Sequence, residues 1–237
     1  MPNNITKLVL LRHGESAWNR DNRFAGWTDV SLTMTGIEQA RQAGLTMRDH
    51  RLEFDVCFTS VLKRATHTAW HCLDAMDRTW LPTIRSWRLN ERHYGALHGL
   101  SKSATVRAYG EEQVRLWRRS YETKPPAQSI ADTQRLAQDP RYASAEVPPS
   151  ESLQDAVARI LTCWEDSIRP SVSSGARGLI VGHGTTLRAF VKILTEQSGG
   201  SGVARLEVPN GVPLVFELDR QLSVIQAYYL NGKKFFD

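Results

Sequence analysis

The chain has 237 residues, 41% hydrophobic and 23% charged, enough apolar material for one large core or two small ones in an ordinary soluble globular protein. Its 30 basic and 25 acidic residues leave a net charge of +5. With no long Lys/Arg run and no RRM, zinc-finger or basic-arm pattern, nucleic acid is not an expected partner. No run approaches the roughly eighteen apolar residues of a membrane span, and MPNNITK is not a secretory leader. Three cysteines, Cys57, Cys72 and Cys163, have neither metal-like spacing nor the even number of a disulfide framework. The expected compartment is therefore a reducing cytoplasm.

In chain order, TKLVLLR (6–12) reads as a short, fully buried strand that empties into Arg-His-Gly-Glu-Ser. SLTMTGIEQARQAGLTMRDH opens on turn residues and becomes helical from about Thr35, with Ile37, Ala40 and Gly44 spaced to meet a sheet. FDVCFTS (54–60) is a second buried strand, followed by the amphipathic helix VLKRATHTAWHCLDAM. TIRSWRLNERHYGALHGLSKS (83–103) opens with a short strand and continues as a polar, glycine-bearing loop suited to function. Helix returns over 103–120. Residues 121–150, rich in Pro, Ser and Asp, read as an irregular excursion over the active-site face. A helix over 150–168 with Ser150 as N-cap, the strand and turn ARGLIVGHG (176–184), the helix TTLRAFVKILTE and a terminal hairpin turning at Asp219-Arg220-Gln221 complete the order. This alternation predicts one α/β domain over 1–237, a three-layer sandwich with a mostly parallel central sheet flanked by helices.

LVLLRHG and LIVGHG are both apolar runs ending in histidine and glycine. Parallel strands align their C-terminal ends along one sheet edge, where sites collect, so His13 and His183 are expected to meet. Glycine behind each would permit a sharp turn and leave room beside the ring. A single such histidine is equally well read as a core-edge residue satisfying backbone groups; the matched pair favours a site. Arg12 adjoins His13 and Arg64 follows another strand end. Arginine forks suit phosphate, and the surroundings are arginine-rich rather than carboxylate-rich, so no metal is expected. A histidine nucleophile, arginines to neutralise charge and a nearby acid together make a phosphoryl-transfer site. The basic excess is then either a generally basic surface or arginines converging on a small anion.

RHGESAWN, RFAGWTDVSLTMTG, SVLKRATHTAW, LNERHYGALHGL, QVRLWRRSYETKPP and GHGTTLRAFVK resemble the 2,3-bisphosphoglycerate-dependent phosphoglycerate mutase family of the histidine phosphatase superfamily, over about 5–230. The resemblance implies interconversion of 3- and 2-phosphoglycerate in glycolysis and gluconeogenesis, with 2,3-bisphosphoglycerate as primer and intermediate. It implies His13 as phosphoryl carrier, Arg12, Arg64 and His183 around the transferring group, and Glu91 as general acid/base. It places Ser16, Asn19, Ala25 and Gly26 in the phosphate and substrate pocket. Tyr94, Lys102, Arg118 and Arg119 would hold the carboxylate and second phosphate, with Gly184 and Thr185 beside the second histidine. It also implies a homodimer or homotetramer. On residue type alone, Glu91 and Lys102 read more readily as solvated surface. Adjacent positions on a helix do not share a face, so helix geometry alone would let Arg118 or Arg119 point outward. A backbone carbonyl is expected to hold the second ring nitrogen of His13.

The chain departs from the family at Ala25, where many members have threonine, and at Thr185, where asparagine is usual. It also ends at YYLNGKKFFD, short of the longer family tail, and looks compressed over 123–145. The short tail motivates the expectation of more hydrolysis relative to mutase turnover, with Phe235 and Phe236 anchoring the chain end. The nearest rival is a phosphatase of the same superfamily acting on another small phosphorylated metabolite with the same five catalytic residues. A non-catalytic anion sensor would be expected to have replaced His13 or Glu91, and both are present.

Overall fold

A computed structural model describes residues 5–196, 208–232 and Phe235. Its centre is a six-stranded sheet in the order β3-β2-β4-β1-β5-β6. The strands are β1 (Thr6–Arg12), β2 (Val56–Thr59), β3 (Thr83–Arg85), β4 (Gly178–Gly182), β5 (Leu214–Leu218) and β6 (Val224–Tyr229). The first four pair in parallel; β5 pairs antiparallel with β1, and β6 with β5. In β1, Leu8 to Leu11 are all buried, as a strand covered on both faces requires.

Side-chain alternation divides these strands between two cores. Leu8, Leu10, Phe58, Ile180 and Phe216 face one way, toward Ile160, Trp164 and Phe190. Val9, Leu11, Cys57, Leu179 and Val215 face the other way, toward Ala43, Met47, Ala69 and Leu73. The first layer is α7 (Leu153–Cys163), its continuation α8 (Arg169–Ser173) and α9 (Gly184–Glu196); the second is α2 (Met34–Asp49) and α3 (Lys63–Ala75). This is the expected three-layer α/β sandwich. Gly44 serves a different contact from the expected one: it brings α2 against α3, where an added Cβ would stand 2.3 Å from the Cys72 carbonyl oxygen.

Several local expectations change. The helix after Pro149 starts at Leu153, and its N-cap is Ser152, not Ser150. Ser152 and Asp155 form a reciprocal capping box, so the residue with an acid three positions on wins over its neighbour. A π-helical stretch, Trp164–Ile168, separates α7 from α8 and buries Trp164 and Ile168. Segment 121–150 is not wholly irregular: it holds α6 (Ile130–Ala137) and a 3-10 turn at Pro140–Tyr142. The β5–β6 turn runs longer than three residues, with the Asp219 N–H donating to Ser223 O at 3.0 Å and Leu222 at φ +63°. Trp70 and Trp80 are exposed, whereas Trp87 packs on Trp27 with ring centroids 5.9 Å apart. Phe235 packs on Phe216 and Tyr229, at 5.6 and 5.9 Å; Phe236 lies outside the described residues. No helix among the described residues is long and apolar enough to cross a membrane.

Candidate active site

The C-terminal ends of β1 and β4 bring His13 and His183 together, with ring centroids 5.1 Å apart in an edge-on arrangement. Strand pairing sets this contact, because Arg12 lies opposite Gly182 and the His13 N–H donates to Gly182 O at 3.0 Å. Gly14 follows, and its role is close approach. A Cβ there would stand 2.1 Å from Gly36 O, and one on Gly36 would stand 2.0 Å from Glu15 O. The two glycines seat the histidine loop on the first turn of α2. The Gly14 N–H also donates to Thr68 Oγ1 at 3.0 Å, tying the loop to α3.

His13 Nδ1 lies 2.7 Å from Gly14 O. A carbonyl only accepts, so Nδ1 carries the proton and Nε2 keeps its lone pair. Burial, then the Arg64 and Arg12 charges, hold His13 well below the usual histidine range, which keeps the ring neutral. Asn210 Nδ2 donates to His13 O at 2.6 Å, and Arg12 Nη1 donates to Val208 O at 2.8 Å. His183 is fully buried, its Nε2 hydrogen-bonded to Ser60 Oγ at 2.8 Å. Its Nδ1 has no partner among the described residues, which leaves a polar atom for a bound anion.

Arg64 is 1% exposed at the start of α3 and donates to Thr28 O (2.9 Å) and Gly26 O (2.7 Å). Gly26 is required twice over: its φ is +48°, and a Cβ would stand 2.0 Å from His98 Nε2. Glu91 enters from the loop after β3. Its carbonyl accepts from Trp27 Nε1 (2.6 Å) and Arg159 Nη2 (2.9 Å). Its carboxylate accepts from Arg92 N (2.8 Å) and Thr185 N (3.3 Å). Burial pushes Glu91 up, but the Thr185 hydroxyl, the Arg188 charge and the two N–H groups outweigh it and hold the carboxyl at about 2.

These groups surround a cavity of about 190 Å³, below the roughly 300–1,000 Å³ of drug-sized ligand clefts. Of the expected residues, Arg12, His13, Asn19, Ala25, Gly26, Arg64, Glu91, Tyr94, Lys102, Arg118, Arg119 and Gly184 line it. His183 stands behind His13. Ser16 is the buried N-cap of α1 (Ala17–Arg20), where its hydroxyl donates to Asn19 Oδ1 at 2.9 Å. Thr185 holds Glu91 rather than lining the cavity. Arg118 and Arg119 both reach the cavity, although they are adjacent on one helix; they occupy the last turn of α5 (Glu111–Arg119), with Arg118 half-buried and Arg119 exposed at the rim. Lys102 opens α4 (Lys102–Tyr109), and burial, Arg118 and Arg12 lower its pKa.

Four lining residues escaped the sequence reading: Arg23, Phe24, Arg188 and Val208. Arg23 and Phe24 adjoin Ala25, and Arg188 lies one helical turn beyond Gly184, so both places carried a signal. None of residues 121–150 lines this cavity. They back the Glu91 loop instead, through Ala96 N donating to Pro126 O (2.8 Å) and Asn90 Nδ2 donating to Tyr142 Oη (3.2 Å). Among the described residues no cluster of three or more His, Cys, Asp or Glu is placed to hold a metal.

The fold is similar to that of the alpha-ribazole phosphatase from Shigella flexneri (TM-score 0.66, 23% identity, 92% of this chain and 93% of that one). It is equally similar to phosphoglycerate mutase from Bacillus anthracis (0.66, 21%, 92% and 90%). A mycobacterial glucosyl-3-phosphoglycerate phosphatase in complex with VO3 gives 0.67 and 22%, over 94% and 97%. At these identities the likeness concerns the fold. Residues 8–231 match the Histidine phosphatase superfamily (branch 1), and the chain belongs to that superfamily.

Proposed function

We propose that this chain hydrolyses a small phosphorylated metabolite through a phosphohistidine on His13. The observation that carries the reading is the His13 ring: Nδ1 is committed to Gly14 O, which leaves Nε2 unprotonated on a ring lining a cation-walled cavity. Nε2 attacks phosphorus while Arg12, Arg64 and His183 balance charge on the phosphoryl oxygens. A phosphate monoanion brings its own proton, which Glu91 passes to the leaving oxygen. Water then attacks phospho-His13, Glu91 takes a proton from it, the P–N bond returns its electron pair to Nε2, and inorganic phosphate leaves.

A second reading, phosphoglycerate mutase, is favoured by the wall formed by Tyr94, Lys102, Arg118 and Arg119. Those groups suit a second anionic group on the substrate. The same cations would hold 2,3-bisphosphoglycerate, which supplies the priming phosphoryl group when bound.

The test is incubation with labelled 2,3-bisphosphoglycerate, then 3-phosphoglycerate. Wild type is expected to acquire acid-labile phosphate and release inorganic phosphate. Label on His13→Ala would overturn the assignment of His13. Formation of 2-phosphoglycerate faster than phosphate would select the mutase reading.

A further inference from the structure

Both oxygens of the Glu91 carboxylate are engaged, one by Arg92 N at 2.8 Å and the other by Thr185 N at 3.3 Å. The Thr185 hydroxyl accepts from Arg188 Nη2 at 3.1 Å, so Arg188 is tied to the residue whose N–H holds Glu91. Thr185 is 1% exposed, so water does not compete for these bonds. Arg188 sits one turn further along α9 and borders the cavity.

We propose that Arg188 is a positioning residue for Glu91: by holding the Thr185 side chain it fixes the residue whose N–H orients the carboxylate that accepts a proton from the attacking water. The inference rests on the phosphohistidine reading for its chemistry and assigns a role to a residue that reading leaves idle. The other titratable groups facing Glu91 are His13 at the end of β1, Arg64 on α3, neighbouring Arg92 and Lys102 on α4. Arg188 differs from them in bonding the side chain of Thr185, whose N–H donates to the carboxylate. This also gives Thr185 a use that the expected substrate contact did not.

p-Nitrophenyl phosphate separates the steps, because its leaving group departs without a proton and Glu91 then acts only in hydrolysis of phospho-His13. At pH 7.5 the expected result for Arg188→Met and Thr185→Val is a burst of p-nitrophenol as fast as that of wild type, then a steady-state kcat about tenfold lower with phospho-His13 accumulating. Arg188→Lys should recover part of the loss, because lysine can still donate to the hydroxyl. The infrared carboxylate bands of Glu91 with inorganic phosphate bound, assigned by their loss in Glu91→Gln, should shift in both variants. If the wild type does not turn over the ester, the phosphatase reading fails, and the infrared bands still decide the role of Arg188. An unchanged kcat and unmoved bands in both Arg188→Met and Thr185→Val, with only KM or thermal stability changed, would overturn the proposal.

Discussion

A single methyl group at Gly14 would dislodge His13. The obstacle, Gly36 O at 2.1 Å from the added Cβ, is backbone, so no rotamer relieves it. Overpacking of this kind costs about 1–3 kcal/mol, so Gly14→Ala should lower the melting temperature by several degrees and reduce phosphoenzyme formation further. An unchanged melting curve would refute the interlock of Gly14 with Gly36. The glycine itself was legible behind the histidine, but its reason was not: the run suggested a sharp turn, and the contact that demands glycine comes from α2. The expected carbonyl partner of the His13 ring proved to be Gly14 O. The other end of that residue, His13 O on Asn210, spans a separation of 197 and carried no local signal.

At the scale of elements, the loop carrying Glu91 is held by a residue of α7. Arg159 pairs with Glu151 at 2.6 Å, both nearly buried, and donates to Arg88 O, Asn90 O and Glu91 O. Glu151 in turn accepts from His93 N at 2.7 Å. Removing one member leaves a buried charge unpaired, so Arg159→Met should cost about 3–5 kcal/mol, while Arg159→Met with Glu151→Met should cost less than the single change. Urea unfolding of the two variants checks this; a double variant less stable than the single one would remove the ion pair from the account. Activity of the single variant should fall at least about tenfold, because the Glu91 carbonyl loses a donor and the carboxylate shifts. In the sequence Arg159 is one residue of the expected helix over 150–168, and only the packing of α7 on the loop reveals its use.

At the scale of the whole molecule, the site makes the fold sensitive to acid. Burial first, with neighbouring cations or histidines, holds His13, His98 and His183 well below the ordinary histidine pKa and His93 at about 3. The unfolded chain binds those protons below about pH 6.5 and the folded chain does not. Stability is therefore full above that pH and falls as pH drops through it. Each histidine costs roughly 1.4 kcal/mol per pH unit, and the four together cost on the order of 5 kcal/mol between pH 7.5 and 5.5. Glu91, depressed to about 2, adds a loss of the same sign only below about pH 4.5. Urea midpoints at the two pH values in phosphate-free buffer test this, and equal midpoints would contradict it. The apolar runs and helical periods by themselves determined the layered sheet, its parallel core and the edge on which Arg12, His13 and His183 meet, because those patterns are local and burial reads them directly. The tertiary structure alone decided which distant polar groups hold the proposed catalytic ones: Asn210 on His13, Arg159 on the Glu91 carbonyl, and Thr185, itself held by Arg188, on its carboxylate. A hydrogen bond selects its partner by position in space once the core has closed, and nothing in the neighbouring sequence records that choice.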